Sequence, residues 1–493
     1  MKKRILTVIL ASSVLAAVAV MVLLPRGRRP RMNGASARPA IESVTANPDA
    51  IADVETSRES MMPLSTKFEL VKTDSPIVEE VIWNRFRGPN GTGVSLDTTI
   101  PTEWSDTKNL RWKTKLPGSG ASSPVLTKAH AFVTSYSGYG EEGQLGDIKQ
   151  LKRHLSCIDR STGAIVWTRS VNNEQREDPY QGMGVPEHGY ATNTPATDGK
   201  SVYAFLGKSG VHAFDLNGNP LWNVSVGTES GNRGWGSAAS LIVYGDLLIV
   251  NASEESQAIV ALEKATGKVA WKAEASTLES TYGTPAIVKI SDTRDDLVIA
   301  VPGEVWGMNP LTGKLAWFAE TSLTDNLSPS VVIDGKTIYA FGGYRSSGSL
   351  AMQAGGKGDV SKSNILWTGR NSSYVASPVL LDRRLYWIDD RGMYYCINAE
   401  TGELIHKSRT PGIDTRGRPV YASPVAINGK VYAQTRTSGV LVINPSDKLD
   451  IVAQNTFDSD TTEFNATPAI DAGQLFLRSN SHLYCVTRED KSK

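Results

Sequence analysis

The sequence predicts an all-β fold: an eight-bladed β-propeller of four-stranded blades, preceded by an N-terminal apolar helix and a flexible linker. Three observations predict it. A short hairpin motif recurs along the chain. A strand that starts beside a proline, or beside Ala239 in its place, recurs ahead of it at steps of 44 to 49 residues from Pro195 to Pro468. The final unit stops one strand short, and the N-terminal part of the chain holds a strand with no unit of its own. A period of about 40–50 residues with four strands per unit is the mark of a propeller.

The first element is the apolar run Ile5–Leu24, "ILTVILASSVLAAVAVMVLL", which carries no charge. As a helix it would span roughly 30 Å, the thickness of a bilayer core. A cleaved signal peptide has a shorter apolar region with a small-residue site close behind it. Here "PRGRRPR" follows, and the triplet Ala35-Ser36-Ala37 lies well beyond. Length therefore favours an uncleaved anchor in residues 1–29, with secretion after cleavage as the alternative. Lys2, Lys3 and Arg4 favour a cytoplasmic N-terminus, whereas Arg26, Arg28, Arg29 and Arg31 oppose it. Residues 30–80 are rich in Ser, Thr, Ala, Pro and acidic residues without sustained period, and read as a flexible linker. The expected location is the cell envelope, on the periplasmic side of an inner membrane.

Residues 81–493 form the propeller. "TGKVAW" (Thr266–Trp271) has companions in "TGAIVW", "TGKLAW", "NGNPLW" and "TGELIH". Each follows an apolar strand, so the unit is a β-hairpin whose glycine supplies the positive φ of the turn. Ahead of each hairpin stands a hydroxyl residue, a proline and an apolar strand. The anchors are Pro124, Pro195, Pro285, Pro329, Pro378, Pro424 and Pro468, with Ala239 in the proline position of "SAASLIV". Eight anchors give eight blades. "NLRWKTKL" (Asn109–Leu116) is expected to complete the last blade, which removes the open edge that would invite aggregation. Trp112, Trp167, Trp222, Trp271, Trp317 and Trp367 occupy equivalent outer-strand positions. They are expected to pack between blades, since one ligand cannot touch six equivalent sites.

These repeats resemble the PQQ-like (quinoprotein) β-propeller family, in which the outer-strand Gly-to-Trp motif is the docking signature. The family includes quinoprotein alcohol dehydrogenases and BamB-like outer-membrane assembly scaffolds. The likeness runs from about Trp83 to Val486. "WNRFRGPNGTGVS" and "GGKGDVSKSNILWTGRNSSYVASPVL" look closest to the anchored or exported propellers of Planctomycetes-type bacteria. The dehydrogenase branch implies PQQ, a calcium ion, a vicinal Cys-Cys disulfide and a catalytic Asp. Cys157, Cys396 and Cys485 are isolated in sequence, in "SCIDR", "YCINA" and "YCVTR". They occupy one equivalent blade position, where a small packing residue is expected rather than redox chemistry.

Composition excludes other classes. With 40% hydrophobic and 21% charged residues and a net charge of +1, the chain is globular and shows no nucleic-acid-binding face. The six histidines are scattered, and H-E-x-x-H and C-x-x-C are absent. "RGPNGTG" lacks the G-K-[ST] of a phosphate loop and reads as a turn before the closing strand.

The unequal residues are the informative ones. Loops entering the innermost strands share one face with those between second and third strands. Hydroxyls stand beside the anchors: Ser123, Thr194, Thr284, Ser328, Ser377, Ser423 and Thr467. The candidate ligand-binding ring at the channel mouth is His188, Tyr190, Asn193, Arg233, Trp235, Tyr282, Asn326, Tyr374, Tyr421 and Asn465. Aromatic and amide groups above hydroxyls suit a sugar, a peptide or a flat cofactor. Two insertions, Ser137–His154 and Asn172–Tyr190, are expected side by side on that face. The leading expectation is a non-catalytic scaffold or ligand-binding module, tethered or exported, with an envelope protein or a small or polymeric ligand as partner. No catalytic residue, metal site or cofactor is expected. The alternatives are an atypical PQQ-dependent oxidoreductase, which would need PQQ and calcium, and a carbohydrate- or polymer-binding propeller.

Overall fold

A computed structural model of the chain describes residues 38–39, 77–141, 144–181, 185–344 and 346–489. The expected anchor Ile5–Leu24 and most of the linker lie outside the described residues. Among the described residues, no helix is long and apolar enough to cross a membrane.

Eight four-stranded antiparallel units follow one another. Blade 1 runs Val125–Thr127, His130–Ser137, Lys152–Asp159 and Ile165–Asn172 from the channel outward. Blade 8 takes three strands from the C-terminal end and its outermost one, Leu110–Lys115, from the N-terminal part. That strand pairs antiparallel with His482–Thr487, placing Trp112 opposite Cys485. The ring closes as expected. Blade 4 carries an extra edge: Gly358–Asp359 pairs in parallel with Leu315–Glu320. Arg38 also sits on this blade, its Nε donating to both Glu304 carboxylate oxygens at 3.0 Å and its guanidinium 3.6 Å over the Phe318 ring.

The core is a set of radial sandwiches, because each blade buries both faces against its neighbours. Phe132 and Cys157 of blade 1 pack with Val202 and Phe214 of blade 2. Tyr203 and Val211 of blade 2 pack in turn with Val250 and Val260 of blade 3. Tryptophans join the blades at the rim. Gly267 illustrates the joint: its φ is +72°, and a Cβ there would stand 2.6 Å from Trp222 of the preceding blade. Trp222 Nε1 donates to the Lys264 carbonyl at 2.8 Å. Trp112, Trp167, Trp271 and Trp367 dock the same way on the next blade, donating to Arg160, Leu216, Pro310 and Ala399. The residue opposite the Trp on the third strand is small: Cys157, Ala213, Ala261, Ala351 or Cys485. The three cysteines are buried and free.

Trp317 packs in the core between blades 4 and 5 as expected, but its indole N–H finds a different partner. Its opposite residue is Gly307, where a Cβ would come within 1.9 Å of the indole. The missing methyl lets the ring lie across its own blade, and Nε1 donates to Asp296 Oδ2 at 2.6 Å.

Candidate functional site

A belt of hydrogen bonds ties the tops of the innermost strands together. The N–H of Ser123 donates to Thr194 Oγ1, that of Thr194 to Ser240 Oγ, and that of Ser240 to Thr284 Oγ1, at 2.9–3.1 Å. The belt continues through Ser330, Ser377 and Ser423 to Thr467 at 2.9–3.0 Å. Blades 1 to 7 thus each donate to the hydroxyl of the next. This corrects the anchors in two blades. Ser330, not Ser328, holds the belt position, and Ser240 does so in blade 3. The proline positions there are therefore Val331 and Leu241 rather than Pro329 and Ala239. What the fold requires is the hydroxyl acceptor, and proline only accompanies it.

The belt encircles a cavity of about 220 Å³. Its floor is the segment expected to be a turn before the closing strand. Val81–Trp83 pairs antiparallel with the innermost strand of blade 1, and Val94–Ser95 pairs in parallel with that of blade 7. The intervening residues cross the channel and put Phe86 into the cavity wall. Arg87, 1% exposed, fixes the crossing. It donates to the carbonyls of Ser377 at 2.6 Å, Pro378 at 2.7 Å and Thr92 at 2.9 Å. Gly93, at φ +73°, passes so close that a Cβ would stand 3.2 Å from this guanidinium. Burial lowers Arg87 to about 9, so it stays charged at neutral pH.

Above the belt stand the unequal residues. Trp235 and Tyr282 stack with centroids 5.9 Å apart. The Arg233 guanidinium lies 5.5 Å from the Trp235 ring and bonds Asp325 at 2.7 Å. Arg418 lies 5.1 Å from the Tyr374 ring and pairs with Asp390 at 3.1 Å. Asn326 Nδ2 donates to Tyr374 Oη at 3.3 Å. Among the described residues, the buried atoms Asn326 Oδ1 and Asn465 Oδ1 have no hydrogen-bond partner.

Both insertions lie on this face and pack together. The first forms a small hairpin, Tyr139–Glu141 with Gln144–Gly146. Tyr139 Oη accepts from the Tyr180 N–H of the second at 3.2 Å. The second is pinned below by Arg153–Glu177 at 2.8 Å and Lys208–Asp178 at 3.1 Å. Its helical turn Val185–His188 brings Glu187 within 2.9 Å of Arg436 in blade 7, so the strap leans over the mouth. Beneath the strap, burial raises Glu254 to about 7. Burial and the neighbouring Glu254 raise Glu255 to about 8.

Of the ten expected ring residues, His188, Arg233, Trp235, Tyr282, Asn326, Tyr374, Tyr421 and Asn465 line the cavity. Tyr190 and Asn193 do not. Tyr190 packs behind the wall against Tyr136, and Asn193 donates to Ser237 and to the Ala239 carbonyl. His188 is kept neutral, because burial pushes it down to about 4; its Nδ1 sits 2.6 Å from Thr192 Oγ1. Phe86, Glu187, Tyr344 and Arg418 also line the cavity. Sequence reasoning missed them; Arg418, three residues ahead of Tyr421, was the most findable. Of the parts that the resemblance to the dehydrogenase branch implies, the vicinal Cys-Cys pair is absent from the sequence. Among the described residues, no three His, Cys, Asp or Glu side chains converge as metal ligands. No two cysteines are adjacent in sequence.

Comparison with known proteins places this geometry. The family model described as outer membrane protein assembly factor BamB matches residues 101–232 and 151–408. No curated protein matches the sequence. Among solved structures, BamB from Moraxella catarrhalis superposes with a TM-score of 0.52 at 15% identity. The match covers 78% of this chain and 99% of that one. A europium-containing methanol dehydrogenase gives 0.55 at 10% identity, covering 82% of this chain and 90% of that one. At such identities these likenesses speak to the fold.

Proposed function

Since the chain belongs to the family of the outer membrane protein assembly factor BamB, we propose that it is a non-catalytic binding protein of the cell envelope. It holds a partner segment or ligand at its channel mouth. The observation that carries this reading is the cavity itself. It is closed below by a segment of the chain's own N-terminal part and walled by residues that differ from blade to blade. A propeller needs no such floor to fold, and equal blades would give equal walls. The apolar run Ile5–Leu24 supports an envelope location, with the propeller on the periplasmic side. The propeller works in this reading without PQQ or calcium.

The test adds PQQ and Ca²⁺ to residues 81–493 and follows binding and dye-linked alcohol oxidation. No turnover is expected. Tight binding with turnover would establish the oxidoreductase alternative. The stacked pair Trp235 and Tyr282 favours one further reading, a carbohydrate-binding mouth. Clear glycan-array hits that vanish in Trp235→Ala would select it.

A further inference from the structure

We propose that blade 4 carries a recognition pocket for an arginine followed by a proline, which the chain fills with its own Arg38-Pro39 and which an arginine-proline segment of another protein can fill in their place. This goes beyond the channel mouth, since none of the residues involved lines that cavity.

Three observations carry the inference. The first is a buried carboxylate held ready for a cation. Glu304 opens the third strand of blade 4, Glu304–Met308, directly after the loop between second and third strands. It therefore lies on the mouth face, outward of the cavity. Glu304 is 5% exposed, and the fully buried Trp306 fixes it by donating Nε1–H to Oε2 at 2.6 Å. Among the described residues, Arg38 is the one cation that pairs with it, from 266 positions away in the chain. A buried carboxylate without a cation is costly, and blade 4 supplies none of its own.

The second is the kind of cation. Arg38 Nε donates to both Glu304 oxygens at 3.0 Å, and its Cζ lies 3.6 Å over the Phe318 ring. A planar guanidinium meets the fork and the ring face together. An ammonium is a compact, strongly hydrated point charge and fits both less well. Glu320 stands 3.8 Å from the guanidinium, and Asp359, on the extra edge strand of this blade, is a third carboxylate near it. One cation thus faces three anions, a surplus that favours a cationic occupant.

The third is the proline. Pro39 is buried. A proline disfavours helical backbone at the residue before it, so Arg38 is presented from an extended segment. The recognised unit is short and partly rigid, and nothing in its contacts requires that it belong to this chain. Tethering gives it an effective concentration on the order of millimolar. An arginine-proline segment of a partner would compete with the linker, and its binding would release the linker from the propeller.

The test empties the pocket in the full chain with Arg38→Ala. Arg29→Ala is added, because Arg29-Pro30 is the other arginine-proline step in residues 1–80. The probe is acetyl-Ser-Ala-Arg-Pro-Ala-amide, the sequence of residues 36–40, titrated at low ionic strength and followed by calorimetry and thermal midpoint. The emptied chain should bind it, with a midpoint that rises with peptide concentration. Peptides with citrulline or lysine in place of arginine should bind at least tenfold more weakly. The wild-type chain should bind the arginine peptide at least threefold more weakly than the emptied chain, because its own Arg38 competes. If the emptied chain does not fold, Arg38→Gln, which keeps a stem over Phe318, replaces Arg38→Ala. No binding of the arginine peptide to the emptied chain overturns the inference. So does equal binding of the lysine or citrulline peptide, or equal binding by the wild-type chain.

Discussion

Gly267→Ala tests whether the outer-strand motif is a joint between blades. The substituted residue would have to hold φ +72°, which costs a non-glycine residue about 1–2 kcal/mol. Its methyl would also stand 2.6 Å from Trp222 Cε3, with backbone fixed on one side and a half-buried indole, held by its N–H bond to Lys264, on the other. Overpacking of that kind costs about 1–3 kcal/mol. The total is about 2–5 kcal/mol. Gly335→Ala is the control. Its φ is +56°, but nothing lies within 4 Å of the built Cβ, so only the backbone cost of about 1–2 kcal/mol applies. Urea denaturation of both variants, followed by circular dichroism, should show Gly267→Ala less stable than Gly335→Ala by about 1–3 kcal/mol at equal slope. Equal stability would refute the joint, because the difference between the sites is the Trp222 contact.

Other consequences are equally direct. Ser377→Ala removes the acceptor of the buried Ser330 N–H and should cost about 1–3 kcal/mol in the same assay, while Ser377→Thr should recover most of it. Glu254 and Glu255 titrate at about 7 and about 8 in the folded state, above the ordinary 4.5. Their stabilisation is present in full below pH 4.5 and is lost as pH rises through 7 to 8. Thermal midpoints should therefore fall from pH 5 to pH 8, by up to about 1.4 kcal/mol per pH unit and group, and Glu254→Gln should flatten the profile. Arg38→Ala should leave the buried Glu304 without its bidentate cation and lower the thermal midpoint, whereas Arg38→Lys should restore part of it.

Much of the fold is legible in the sequence because the blades repeat. The Trp and Gly of "TGKVAW" recur, so their joint can be read without knowing any contact. The ring closure by Asn109–Leu116 is legible because one strand was missing and one was spare. The anchors of blades 3 and 5 lie two residues early because Pro329 is conspicuous in blade 5 and Ala239 keeps the regular spacing in blade 3, whereas the belt depends on the hydroxyls of Ser330 and Ser240. Trp317 packs between blades as its position predicts, but the turn of its N–H onto Asp296 was not legible, because it depends on Gly307, one strand away. The mouth ring followed from topology and holds eight of the ten residues named. Tyr190 and Asn193 were lost because the strap packs its own aromatic cluster behind the wall. The floor was not legible. "RFRGPNGTG" carries turn residues like any loop. Nothing local says that Phe86 enters a cavity whose wall includes Ser377, far along the chain.

The central claim is that the chain works through its channel mouth. Photo-crosslinking tests it most directly. A benzophenone amino acid is placed at Tyr374 in the cavity wall, and in a second protein at Leu221 on the exposed outer strand of blade 2. Both are expressed in cells of the source organism, irradiated and analysed for adducts. Adducts at position 374 that are absent at 221 are the predicted result. Adducts at 221 with none at 374 would contradict the account and move the working surface to the blade edges.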